Sequence, residues 1–147
     1  MRTILLSVLC CVAISIHAQD TVKVASNLTP DQQAELDYNN GLTALHKNEC
    51  ATAVDLFTKA IAAKPTFDKA ISNRAIAYTH LKKHTEAVID INQAIKLNSQ
   101  NPETYFNKGL IYFDMNIKDS ANVALCNYLR LHLRYLLNSY QNKLSLY

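Results

Sequence analysis

The stretch Asn73-Arg74-Ala75-Ile76-Ala77-Tyr78, with Ala87 nine residues beyond it, decides the fold. Moved back by 34 residues it lands on Asn39-Asn40-Gly41-Leu42-Thr43-Ala44 with Ala53 beyond, and moved forward by 34 on Asn107-Lys108-Gly109-Leu110-Ile111-Tyr112 with Ala121 beyond. The agreement continues through Phe57, Ile91 and Leu125, then Ala60, Ala94 and Tyr128, then Ile61, Ile95 and Leu129. A fixed period in this range marks a stacked array of like units rather than one irregular core. The residue types have mechanical reasons. A small residue at Gly41, Ala75 or Gly109 lets a second helix come close, and Phe57, Ile91 or Leu125 fills the space beside it. Glycine inside a helix costs about 1 kcal/mol of propensity, so close packing is the reason to keep it there.

Local signals agree with pairs of helices. Thr29-Pro30-Asp31-Gln32 supplies an N-cap, a proline at the first helical position and a capping-box glutamine, and Asn101-Pro102-Glu103 starts a later helix in similar fashion. Lys47-Asn48-Glu49, Lys82-Lys83-His84 and Asn116-Ile117-Lys118 fall at matching offsets and read as polar turns. Six helices follow, near 30 to 47, 50 to 64, 68 to 82, 85 to 98, 102 to 116 and from 119 onward.

The windows Asn40-Gly41-Leu42-Thr43-Ala44 and Asn73-Arg74-Ala75-Ile76-Ala77-Tyr78 resemble the tetratricopeptide (TPR) pattern. The resemblance covers Ala34 to Tyr135, with units at 34–67, 68–101 and 102–135, and fades in the third. It implies an all-α fold, a right-handed solenoid of three helix-turn-helix repeats with a terminal capping helical extension over 136–147. The pattern closes a repeat with proline. Here the equivalent places hold Pro65, then Ser99 with Pro102 just beyond, then Leu133, so the last boundary is unmarked.

In such arrays the first helices of successive repeats line a concave groove that binds a protein or peptide. The resemblance places Glu35, Tyr38, Asn39, Leu42 and His46 there from the first repeat. Lys69, Ser72, Asn73, Ile76 and His80 follow from the second, and Glu103, Phe106, Asn107, Leu110 and Phe113 from the third. Asn39, Asn73 and Asn107 recur at the period, and a carboxamide can both donate to and accept from the backbone of an extended peptide. The same amides can instead satisfy nearby backbone groups, and both readings stand. One TPR subclass grips a terminal carboxylate with lysines, asparagines and an arginine. At those places this sequence has Tyr38, Leu42, Asn73, Glu103 and Asn107. Only Asn73 matches, so the carboxylate grip is not expected.

The opening Met1-Arg2-Thr3, the apolar run Ile4 to Ile16 and His17-Ala18-Gln19-Asp20 have the make-up of a secretory leader cut after Ala18. The run is shorter than the about 20 apolar residues of a membrane span. An uncleaved anchor is the lesser alternative, and neither Cys10 nor Cys11 has the small preceding residue of an acylated cysteine. The Ala-Gln junction resembles leaders of the Bacteroidetes group and implies a periplasmic or secreted protein. Cys50 and Cys126 would remain, two repeats apart and beyond disulfide reach, as free buried thiols.

Past Cys126, the residues Leu129, Leu133, Leu136, Leu137, Tyr140 and Leu144 share one helical face. A cap on the last repeat, a surface for self-association or a partner, and a shortened gene product are the readings of that stripe. The formal charge of +3, from 15 basic and 12 acidic residues, is spread along the chain and marks no nucleic-acid partner. A count of two glycines argues against a phosphate loop, and no nucleophile or cofactor motif appears, so no enzyme activity and no cofactor are expected. His80 and His84 are four apart but lack a third ligand and read as surface residues rather than a metal site. Asp55, Glu86 and Asp90 read as solvated. Asn27-Leu28-Thr29 is a glycosylation sequon that matters only in a eukaryotic secretory host.

Overall fold

The computed structural model describes residues 28–144, and the expected leader, with its cleavage point, lies outside them. The chain forms six helices: α1 (Pro30–His46), α2 (Cys50–Ala63), α3 (Asp68–His80), α4 (His84–Leu97), α5 (Pro102–Asp114) and α6 (Lys118–Leu144). Among the described residues there are no strands. Consecutive helices pack as pairs, and α3 and α5 also pack on each other, which stacks the repeats into the expected solenoid.

The caps act as the sequence suggests. Thr29 Oγ1 accepts from Gln32 N at 3.2 Å while Thr29 N donates to Gln32 Oε1 at 2.9 Å, closing a reciprocal box. Asn101 Oδ1 accepts from Glu103 N at 3.1 Å at the start of α5. Each turn between paired helices holds one left-handed residue at the same offset, Asn48 (φ 61°), Lys82 (φ 60°) and Asn116 (φ 59°). Asparagine tolerates that conformation because its short polar side chain bonds locally; lysine has no such compensation.

Packing follows the small-and-large rule read from the repeat. Ala34, Ala44, Ala53, Phe57, Ala60, Phe67, Ala70 and Ala77 form the first buried cluster, and Ala75, Ala87, Ile91 and Ile111 the second. Gly41 is there because Phe57 leaves no room: a Cβ added to it would meet Phe57 Cε1 at 2.6 Å. At Gly109 the neighbour is Leu125 Cδ2 at 2.9 Å, the movable end of a half-buried side chain.

Four details differ from expectation. Asp90 is not solvated but 5% exposed, because Arg74 reaches across from α3 to bind both its oxygens. Cys50 is buried but Cys126 is exposed. The equivalent Thr58 and Asn92 each meet a basic side chain from the following repeat, and among the described residues Cys126 meets none. His84 opens α4 rather than sitting in a turn, so it shares no helix with His80. Finally, residues 136–144 continue the preceding helix instead of forming a separate element. With leucine rather than proline at position 133, nothing breaks the helix, and α6 runs unbroken for 27 residues.

Candidate functional site

The site is built by the first helices of the three repeats, α1, α3 and α5, each backed by the second helix that packs against its small residue. Its firmest point is Tyr38. The ring packs on Phe67 at 4.9 Å and Phe57 at 5.9 Å between centroids, which anchors it in the first core. Its hydroxyl accepts from Asn73 Nδ2 at 3.4 Å across the repeat boundary. Burial, then the negative charges of Glu103, Glu35 and Asp68, raise the pKa of that phenol above the usual tyrosine value. Three carboxylates therefore impose a negative field on this part of the groove, and Lys69 stands among them as an exposed cation.

The asparagine row is present but not uniform. Asn73 Nδ2 also donates to Lys69 O at 2.9 Å, the local satisfaction that one reading of the row foresaw. Asn107 Nδ2 donates to the buried Ser72 Oγ at 3.0 Å, again between neighbouring repeats. Asn39 is exposed, and among the described residues its side chain bonds to no other side chain. Asn73 spends both amide N–H donors on the scaffold and Asn107 one, which leaves both carbonyl oxygens to accept from a ligand and one N–H of Asn107 to donate.

The apolar residues named from the sequence differ in exposure. Leu42 and Ile76 are half-buried, while Phe106, Leu110 and Phe113 are exposed. A wall that the sequence reading missed comes from α6. Tyr128 packs against Phe106 at 5.4 Å and His132 stacks on Tyr128 at 5.5 Å. Tyr128, His132 and Tyr135 join Lys69 and Glu103 around a cavity of about 520 Å³. The spacing of 128, 132 and 135 was a readable helical face, masked by the leucine stripe beside it.

Among the described residues no group of three or more His, Cys, Asp or Glu gathers into a metal cluster. His84 Nε2 lies 3.6 Å from Asp114 Oδ2, and the same carboxylate binds Lys82 at 2.8 Å. The hydrogen bond from Lys82 is the first cause of a lowered Asp114 pKa. No described helix is long and apolar enough to cross a membrane.

Residues 77–116 match the family model for the TPR repeat. The chain is 36% identical over 73 residues to a protein SGT1 homolog of rice, half of this chain and 20% of that protein. It is 31% identical over 96 residues to the heat shock protein STI1 of Saccharomyces cerevisiae, 65% of this chain and 16% of that protein. The chain thus spans a fifth or less of the length of these two curated relatives. They are eukaryotic and lend no support to an exported bacterial type. Among solved structures, the second TPR of Spaghetti (RPAP3), bound to the HSP90 peptide SRMEEVD, is 26% identical with a TM-score of 0.63, over 69% of this chain and 94% of that one. The Sgt2 TPR domain from Aspergillus fumigatus, 24% identical, shares the fold with a TM-score of 0.64 over 76% of this chain and 79% of its own. The helix pairs, the 34-residue core pattern and these matches show that the chain has the fold of a TPR solenoid.

Proposed function

We propose that the chain is a non-enzymatic interaction module that holds an extended peptide or protein segment in the groove of α1, α3 and α5. The observation that carries the reading is the cross-repeat ladder of Tyr38 with Asn73 and Ser72 with Asn107, beside the exposed Phe106, Leu110 and Phe113. Polar groups fixed by the scaffold meet a peptide backbone without being ordered at the moment of binding, and exposed aromatics supply contact area. A similar TPR unit binds a peptide in the structure carrying SRMEEVD.

The mode of gripping differs in this proposal. Charge-assisted bonds to a terminal carboxylate need cations, and Tyr38, Leu42, Glu103 and Asn107 supply none, with Glu103 adding repulsion. A labelled SRMEEVD peptide and its carboxyl-terminal amide are therefore expected to bind equally weakly in fluorescence anisotropy. The groove itself is tested by changing Asn39, Asn73 and Asn107 together to alanine. Capture of native partners should fall by about tenfold or more, the size of one lost net hydrogen bond or two. A triple variant that stays helical by circular dichroism and still captures every partner sinks the reading.

One observation favours a second role, pairing of two copies through α6. That helix has 27 residues against 13 in α5, or about 40 Å against about 20 Å at 1.5 Å per residue, so its outer half projects past its partner. The projecting part exposes Leu133 (58%), Leu136 (48%), Leu137 (61%) and Tyr140 (65%) along one side. Two such projections laid together would cover both stripes. Removal of Leu136 to Tyr147 is expected to turn a dimer into a monomer in light scattering, and an intact chain that is already monomeric at high concentration refutes the pairing.

A further inference from the structure

Away from the groove, repeats two and three each build a slot floored by a first helix and walled by the second helices of the same and the preceding repeat. In the second repeat the slot is filled. Arg74 Nε and Nη2 donate to Asp90 Oδ2 and Oδ1 at 2.7 and 2.9 Å, Arg74 Nη1 donates to Thr58 Oγ1 at 3.1 Å, and the Tyr78 ring centre lies 5.9 Å from the guanidinium.

Exactly one period later the parts recur with one missing. Lys108 takes the place of Arg74, Asn92 that of Thr58 and Tyr112 that of Tyr78. Lys108 Nζ donates to Asn92 Oδ1 at 2.9 Å and lies 5.7 Å from the Tyr112 ring centre. The place of Asp90 is held by Ala124, which has no oxygen to offer. Beside it opens a cavity of about 290 Å³, lined by Tyr105, Lys108, Tyr112, Ser120, Ala124 and Asn127, with Val123 and Asp119 completing it. Asp119 is exposed and makes no ion pair with Lys108. Burial lowers the Lys108 pKa with no nearby acid raising it. The half-buried ammonium thus has a neutral partner on one side, a ring on another and an open cavity where its counterpart in the second repeat finds a carboxylate.

We propose that this cavity binds a small organic acid whose carboxylate occupies, beside Lys108, the position that the Asp90 carboxylate occupies beside Arg74. The ammonium donates to the carboxylate, and Tyr112, Val123 and Ala124 take the apolar body. The volume sets the size of that body: it lies near the lower end of the range for small-molecule sites, about 300 Å³, which suits an acid with a single ring or a short chain.

Benzoate serves as the probe, titrated into the ¹⁵N-labelled full chain. Saturable shifts are expected at the amides of Lys108, Tyr112 and Ala124, with benzyl alcohol giving none. Ala124→Asp supplies the missing carboxylate from within and should weaken benzoate binding by about tenfold or more, the size of a lost charge-assisted bond. Lys108→Met, which keeps the apolar stem, should do the same, so the proposal remains decidable if the aspartate variant loses its helical circular dichroism. Shifts that do not saturate, or that persist unchanged in the folded variants, overturn it. Equal binding of benzyl alcohol also overturns it. Binding of a glutamate-bearing peptide without binding of benzoate overturns the small-molecule assignment.

Discussion

Asp90→Ala is expected to lower the stability of the solenoid by about 3 kcal/mol, a loss of roughly 10 °C in melting temperature for a domain of this size. The reason lies in what remains rather than in what is removed. Arg74, its side chain only 17% exposed, would keep its charge in a partly desolvated slot with Thr58 Oγ1 as its one remaining side-chain acceptor. Breaking one side of a buried pair leaves an uncompensated ion, whereas replacing both sides with apolar residues of similar volume removes the desolvation penalty along with the attraction. The double change Arg74→Met with Asp90→Leu should therefore recover most of the loss. Thermal melts followed by circular dichroism decide it. A double variant as unstable as Asp90→Ala alone would show that the pair contributes through shape or hydrogen-bond geometry instead of balanced charge.

Gly41→Ala should destabilise, and Gly109→Ala should not, although both place a better helix former in the same repeat position. The propensity gain is about 1 kcal/mol in each. At Gly41 the new methyl would sit 2.6 Å from Cε1 and 2.8 Å from Cδ1 of Phe57, a ring that is completely buried and also packed on Tyr38. A rigid ring in a closed core cannot rotate away without moving its helix, and overpacking of this kind costs typically about 1–3 kcal/mol. The 2.6 Å contact sets the cost at the upper end of that range, so the net effect is a loss of about 2 kcal/mol, or several degrees in the melt. At Gly109 the obstacle is Leu125 Cδ2 at 2.9 Å and Cγ at 3.0 Å, on a flexible half-buried side chain of α6, and a small rotation about its χ1 moves both atoms away. Chemical denaturation of the two variants under one protocol reads the difference directly, and equal losses at both sites would contradict the account.

The reach of the sequence can be judged from these same residues. Gly41 and Phe57 were legible because helix packing repeats at 34 residues and each partner is drawn from a small set of types. Thr29 and Asn101 were legible because a cap is a contact over two or three residues. Asp90 was misread because its partner, Arg74, lies 16 residues away on another helix, and an acid on a second helix has no local mark of burial. The groove residues were legible as a row of helix faces at the 34-residue period, whereas the aromatic contacts from α6 were not. Tyr128 reaches Phe106, with His132 stacked behind it, only because α6 follows α5 at one crossing angle, a property of two packed helices rather than of either alone. The third boundary was doubtful for a readable reason, the leucine at 133, and the unbroken α6 is its outcome.

That unbroken helix also orders the way the molecule opens. In a stack where each unit leans on its neighbours, protection of backbone amides from exchange with solvent is graded by how many neighbours a segment has. The outer turns of α6, exposed from Leu133 to Lys143, exchange first. The front then moves inward past Leu131, which is buried, and reaches α2 and α3, enclosed on both sides, last. Occupation of the groove wall by a partner would pin Tyr128 and His132 and halt the front there, so that an event at the surface of one helix would be read out as the lifetime of the whole stack.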